Sequence, residues 1–152
     1  MRETLFNWLA PHLPGARCLD LFAGSGVLGF EALSRGAEEV TFVERDPRLV
    51  NELRYQGSAI GVNCRFTVRK MDALSFLRGP SQAYDIVFAD PPFKARLYEK
   101  TAQLLSEQGW LKSPAWIYIE ADRREEWVPP ESWHLLRSQI VGQVQGALFR
   151  FL

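Results

Sequence analysis

The chain has few cysteines, little histidine and no long apolar run, and each shortage narrows what it can be. Cys18 and Cys64 are the only two cysteines in 152 residues, too few for a disulfide framework. Both sit in apolar, strand-like surroundings, which predicts buried free thiols and a reducing compartment. His12 and His134 are the only histidines and lie far apart in sequence. No His/Cys cluster has zinc-site spacing, so no metal is expected. No stretch of about 18 apolar residues exists, which excludes a membrane-spanning helix. Met1–Phe6 lacks the apolar core of a signal peptide. Net charge is absent too: 18 Lys+Arg balance 18 Asp+Glu. That opposes strong nonspecific binding to nucleic acid, although a local basic face remains compatible with it. No internal repeat or low-complexity tract interrupts the chain.

What is present is an ordinary globular composition, 47% hydrophobic and 24% charged, in a length that suits one domain, residues 1–152. Apolar runs alternate with helix-like segments. Strands are expected at 17–22, 40–44, 65–69, 84–89 and 116–120. Helices are expected between them at about 26–35, 47–58, 73–77 and 95–107, with Pro47 suited to a first helical turn. Two late strands, about 134–140 and 144–151, turn around Gly142 and predict a hairpin. The pattern implies an α/β fold with a mostly parallel seven-stranded sheet, helices on both faces and a C-terminal antiparallel hairpin. Arg2–Leu9 reads as an amphipathic helix with Leu5, Phe6 and Leu9 on one side. It begins without a cap or lead-in, and residues upstream of Met1 are expected to be missing from this chain.

The densest chemical signal is Asp20-Leu21-Phe22-Ala23-Gly24-Ser25-Gly26-Val27-Leu28-Gly29. Its glycines permit a sharp turn and close approach of a ligand, where the first strand hands over to the first helix. Open α/β sheets bind ligands at that edge. Glu44 ends the second strand and suits the two hydroxyls of a ribose. Asp72 follows the third and suits an adenine amino group. The plainer reading is a tight turn with capping acids, but three acids at successive strand ends beside a glycine turn speak for a nucleoside site. Gly24-x-Gly26-x-x-Gly29 also satisfies the dinucleotide fingerprint. Asp20 opposes that reading, because a carboxylate there repels pyrophosphate and welcomes an ammonium group. S-adenosylmethionine has the matching parts: an amino-acid end, a ribose, an adenine and no phosphate.

A second signal, Asp90-Pro91-Pro92-Phe93, follows the fourth strand. The prolines fix φ and donate no hydrogen bonds. The segment therefore presents acceptors only and suits an NH2 group, with Phe93 offering a stacking surface. A rigid turn with a capping Asp is the bland alternative.

Together these residues resemble the class I S-adenosylmethionine-dependent methyltransferases, and Asp-Pro-Pro-Phe is similar to the motif of members that methylate exocyclic amines. With Arg2-Glu3-Thr4-Leu5-Phe6-Asn7-Trp8-Leu9 and Val141-Gly142-Gln143-Val144, the chain resembles the RsmD-type bacterial 16S rRNA guanine-N2 methyltransferases along its whole length. The family's basic segment ahead of the RETLFN helix, with its Arg-Pro-Thr stretch, is not in this chain.

The resemblance implies a Rossmann-like fold, S-adenosylmethionine as cofactor, and small-subunit rRNA or the small ribosomal subunit as partner. A cytoplasmic monomer without membrane or metal is expected. The implied cofactor-binding residues are Asp20, Phe22, Ala23, Gly24, Ser25, Gly26, Glu44, Arg45, Asp72 and Ala73, and the implied catalytic residues Asp90, Pro91, Pro92 and Phe93. Asp90 and the Pro91 carbonyl are to accept the two N–H bonds of the guanine amine. Competing readings are a DNA adenine or protein glutamine methyltransferase, an NAD-binding oxidoreductase, which gives Asp90–Phe93 no task, and a noncatalytic cofactor-binding module. Lys94, Arg96 and Lys100 form a candidate phosphate-facing patch, set against a plain solvated helix face. Arg65, Arg69 and Lys70 read as exposed strand positions.

Overall fold

A computed structural model describes residues 1–61, 65–92 and 95–152, apart from the side chains of Ala95 and Arg96. Cys64, Phe93 and Lys94 therefore lie outside the described residues. The elements run α1 (Arg2–Leu9), a 3-10 turn (Ala10–His12), β1 (Arg17–Leu21), α2 (Val27–Ser34), β2 (Glu39–Glu44), α3 (Pro47–Ile60), β3 (Arg65–Lys70), α4 (Ala73–Leu77), β4 (Tyr84–Ala89), α5 (Ala95–Glu107), β5 (Leu111–Asp122), β6 (Trp133–Val141) and β7 (Val144–Phe151).

The strands make one seven-stranded sheet in the order β3-β2-β1-β4-β5-β7-β6. The first five are parallel; β7 pairs antiparallel with both β5 and β6. The chain winds outward from β1 to β2 and β3, then returns to place β4 on the other side of β1. The crevice at the carboxyl ends of β1 and β4 is thus a topological switch point.

Period-two alternation divides the central strands between two cores. Cys18, Phe42, Ile86, Phe88 and Tyr118 face the side covered by Leu5, Phe6 and Leu9 of α1, Ala32 and Leu33 of α2 and Leu53 of α3. Leu19, Leu21, Val43, Val87 and Ile117 face the opposite side, covered by α4 and α5 through Phe76, Leu77, Tyr98 and Leu105. Helices lie on both faces, as the alternation of strands and helices predicts.

Local chemistry starts the helices. Asp46 accepts a hydrogen bond from the Arg48 N–H at 2.9 Å and Pro47 opens α3, satisfying two demands of a helix N-terminus at once. Cys18 is buried, and burial pushes its thiol well above the ordinary range. Of the tryptophans, Trp110 and Trp133 are buried, and Trp8, Trp116 and Trp127 pack at the margins of the two cores. His12 stacks on Trp116 with ring centroids 3.8 Å apart, a structural role.

One boundary departs from expectation. β5 begins at Leu111, five residues before the predicted Trp116. The early half is exposed and carries Lys112, Ser113 and Pro114, which read as loop because Pro cannot donate to a ladder. The pairing of Leu111 with Tyr84 fixes it as strand, and a register irregularity between Tyr84 and Ile86 absorbs the mismatch.

Candidate active site

The site forms where β1 gives way to α2. Phe22 leaves β1 at φ 60°, uncommon for a bulky residue and typical of backbone held for a purpose. Gly26 caps α2 at φ 80°. The turn closes through hydrogen bonds from the Ala23 N–H to the Val43 carbonyl and from the Gly26 N–H to the Ala23 carbonyl, each 2.9 Å.

Two carboxylates fasten this turn. Glu44 accepts from the Gly24 N–H at 2.9 Å through Oε1 and from the Asp46 N–H at 2.9 Å through Oε2. Asp20 is 4% exposed and accepts from the Gly29 N–H at 3.0 Å. Gly29 has no room for a side chain: a Cβ would overlap the Phe42 ring and lie 3.0 Å from Asp20 Oδ2. Gly29→Ala is therefore expected to cost about 1–3 kcal/mol of stability by overpacking, read as a lowered denaturation midpoint. An unchanged midpoint would show that the Phe42 ring yields freely.

Burial pushes the Asp20 carboxyl up to about 8, against the lowering effect of the Gly29 hydrogen bond, with the charges of Asp90 and Glu44 adding to the rise. The folded protein holds the Asp20 proton to higher pH than the unfolded chain does, so the associated stability is full below about pH 4 and is lost as pH rises toward 8. Wild type should lose stability between pH 5 and 8 relative to Asp20→Asn, which keeps an acceptor for Gly29 and does not titrate. Denaturant melts of the two proteins across that range check this; a constant difference would contradict it.

Asp72 caps α4, accepting from the Ser75 N–H at 3.1 Å and the Ser75 hydroxyl at 3.4 Å, both through Oδ2. The capping role and a place at the ligand site coexist, since Asp72 also borders the main cavity.

Two cavities open side by side at the sheet edge. The larger, about 830 Å³, is bordered by Phe22, Glu44, Arg45, Asp72, Ala73, Asp90, Pro91 and Pro92 among others. That volume suits a nucleoside-sized cofactor. The smaller, about 350 Å³, is bordered by Asp20, Phe22, Ala23, Gly24, Ser25 and Asp90. Phe22 and Asp90 border both and mark the junction. Asp90 is open to this junction, yet its carboxyl is pushed up to about 6, first by burial and then by the charge of Glu120.

Of the residues singled out in the sequence, Gly26 borders neither cavity. Its positive φ starts α2, and a Cβ there would collide with Phe30 and Leu53. Phe93 and Lys94 fall outside the described residues, as does the Arg96 side chain. Lys100 borders the main cavity. Arg65, Arg69 and Lys70 are exposed on edge strand β3, with Arg65 3.3 Å from Glu38.

Cavity residues outside the set expected from sequence include Met71 and Leu97 in the larger space and Arg2 and Glu120 in the smaller. Glu120 had a signal. It stands near the end of the fifth parallel strand as Asp20, Glu44, Asp72 and Asp90 stand at or just after the ends of the first four. Among the described residues, no group of three or more His, Cys, Asp and Glu is arranged to hold a metal ion.

The acceptor set bears on the nucleotide readings. Acids at the glycine turn present acceptors where a dinucleotide would bring its pyrophosphate, and they suit a phosphate-free ligand that carries donors. Over residues 1–150 the chain matches the profile of a family described as Conserved hypothetical protein 95. It is 42% identical over 153 residues to the ribosomal RNA small subunit methyltransferase D of Haemophilus influenzae, covering 99% of this chain and 79% of that protein. It is 44% identical over 152 residues to the protein of the same name from Escherichia coli K12, covering 99% and 76%. The solved structure of the Escherichia coli protein yhhF superposes with a TM-score of 0.91 at 43% identity, covering 99% of this chain and 83% of that one.

Proposed function

The chain belongs to the ribosomal RNA small subunit methyltransferase D family, and from that premise we propose that it methylates the exocyclic N2 amine of a guanine in small-subunit (16S) ribosomal RNA, with S-adenosylmethionine as methyl donor. The observation that carries this reading is the position of Asp90 at the junction of two cavities, with Pro91 and Pro92 bordering the larger, at the switch point of the sheet.

The residues present fit the cofactor. Glu44, Arg45, Asp72 and Ala73 border a space of nucleoside size, and the smaller cavity carries the buried Asp20 carboxyl beside the backbone of Ala23, Gly24 and Ser25. Bound S-adenosylmethionine supplies an electrophilic methyl group whose departure leaves a neutral thioether.

The protein's task is then to make a poor nucleophile attack. The lone pair of a guanine amine is delocalised into the ring. Asp90 and the Pro91 carbonyl accept its two N–H bonds and localise that pair toward the methyl group. As the new C–N bond forms, Asp90 takes the proton that the amine sheds and passes it to water. Pro91 and Pro92 hold these acceptors in one orientation. Positioning of this kind is worth up to roughly 7–11 kcal/mol of the barrier. The base must leave any stack to arrive, at a cost of a few kcal/mol, and Phe93 stacking is to return about 1–3 kcal/mol. Lys100 supports a contact to the RNA backbone. We place the enzyme in the cytoplasm as a monomeric single domain, a compartment supported by the buried Cys18 thiol.

The test is which macromolecule takes label. With labelled S-adenosylmethionine and unmodified small ribosomal subunits, label is expected in 16S RNA. Label in DNA or in protein, offered in parallel, would overturn the RNA reading.

A further inference from the structure

The fifth parallel strand brings a carboxylate that the reaction above does not use. β4 and β5 pair with Phe88 beside Tyr118 and Ala89 beside Ile119. One residue further, that register sets Asp90 beside Glu120, on strands about 4.8 Å apart. Both residues border the smaller cavity. Their side chains share the sheet face of Phe88 and Tyr118, since strand residues alternate sides.

Glu120 is held in place from below. Tyr118 is 1% exposed, and its hydroxyl donates to Glu120 Oε1 at 3.0 Å. The opposing β7 position is Gly146, where any Cβ would collide with the Tyr118 hydroxyl. A buried phenol, a glycine cleared to admit it and an acid at the cavity wall form a built arrangement. Burial and the Glu120 charge both push the Tyr118 hydroxyl above its ordinary range, so it remains a donor.

A second carboxylate beside Asp90 is costly unless the ligand brings donors for both. Guanine does so: its N1–H and its N2 amine lie side by side on one edge. Adenine and cytosine place a ring-nitrogen lone pair beside their amine, and that lone pair faces a carboxylate unfavourably. We infer that Glu120 is the residue that selects guanine, accepting N1–H while Asp90 and the Pro91 carbonyl hold the amine. This rests on the proposed methylation of a guanine amine at Asp90. The proximity of the two acids agrees with it, since Glu120 helps raise the Asp90 carboxyl and donors from the base would relieve that repulsion.

The experiment compares wild type with Glu120→Gln on small subunits in which the methylated guanosine, once mapped, is replaced by 2-aminopurine riboside through splinted ligation. 2-Aminopurine keeps the amine but exposes a lone pair at N1. Wild type is expected to prefer guanine. In Glu120→Gln the amide donates to N1, and the guanine to 2-aminopurine ratio of kcat/KM should fall at least ~10-fold, in line with loss of one charge-assisted hydrogen bond. Cofactor affinity and thermal midpoint, measured alongside, separate a contact to the base from a contact to the cofactor or a fold defect. An unchanged ratio overturns the assignment. So does a fall in cofactor affinity with the ratio unchanged, which would place Glu120 at the cofactor's ammonium. No transfer to guanine by wild type would overturn the guanine reading itself and this inference with it, a separately visible result.

Discussion

Asp90→Ala is expected to abolish methyl transfer, by at least ~10³-fold, while cofactor affinity stays within a few-fold of wild type. The size follows from removing the acceptor that localises the amine lone pair and takes its proton, a contribution of about 10²–10⁴-fold for general bases, with loss of substrate positioning added. The division between binding and chemistry follows from the fold. The glycine turn is tied to Asp20 and Glu44, and Asp90 stands across the cavity on the next strand, so its removal leaves that turn in place. Label transfer and calorimetric titration of S-adenosylmethionine check the two halves separately. If the variant lost cofactor binding as well, Asp90 would belong to the cofactor site and the division of roles would be wrong. The same carboxyl sets a pH limit. It is pushed up to about 6 by burial and by Glu120, Asp20 lies near enough to feel its charge, and it must be ionised to take the proton of the amine. Activity should therefore fall as pH drops through that region, an effect eased by whatever positive charge the bound cofactor brings.

Glu44→Ala is expected to weaken S-adenosylmethionine at least ~10-fold. One charge-assisted hydrogen bond is worth about 1.5–3 kcal/mol, and Glu44 has two kinds to lose. Its oxygens already accept from the Gly24 and Asp46 N–H groups at 2.9 Å each, tying the glycine turn of β1 to the start of α3. It also borders the main cavity, where ribose hydroxyls are to be accepted. Truncation thus removes a ligand contact and loosens the turn that shapes the site. Unchanged affinity on titration would remove Glu44 from the cofactor site. Glu44→Gln should fall between, because its amide retains one acceptor but turns a donor toward one of the backbone N–H groups.

The parallel core was legible because its strands are short apolar runs bounded by turn residues, as in Arg17–Leu21 and Tyr84–Ala89, and Pro47 marks the start of α3. Asp20, Glu44, Asp72 and Asp90 were legible as a site because each ends or follows a parallel strand, and parallel strands bring their carboxyl ends to one edge. What escaped did so for physical reasons. The first half of β5 is exposed and contains Pro114, so only its pairing to β4 makes it strand. Asp72 serves as helix cap and cavity wall together, a double duty that spacing cannot resolve. Gly26 sits in the fingerprint, and its left-handed backbone at the start of α2 is by itself a reason for glycine there. Glu120 lay within an apolar run read for its strand character, and its nearness to Asp90 is a matter of register between strands 30 residues apart in sequence. Arg2 was noted within a helix pattern, and only the tertiary structure brings it to the cavity beside Asp20.

The most direct test is the identity of the methylated nucleoside. Small ribosomal subunits lacking the modification are incubated with the protein and labelled S-adenosylmethionine, and the 16S RNA is digested to nucleosides and resolved by mass spectrometry. Label in N2-methylguanosine is the expected result, lost in Asp90→Ala. Label in N6-methyladenosine or another nucleoside, with N2-methylguanosine absent, would contradict the assignment of the Asp90 site to a guanine amine.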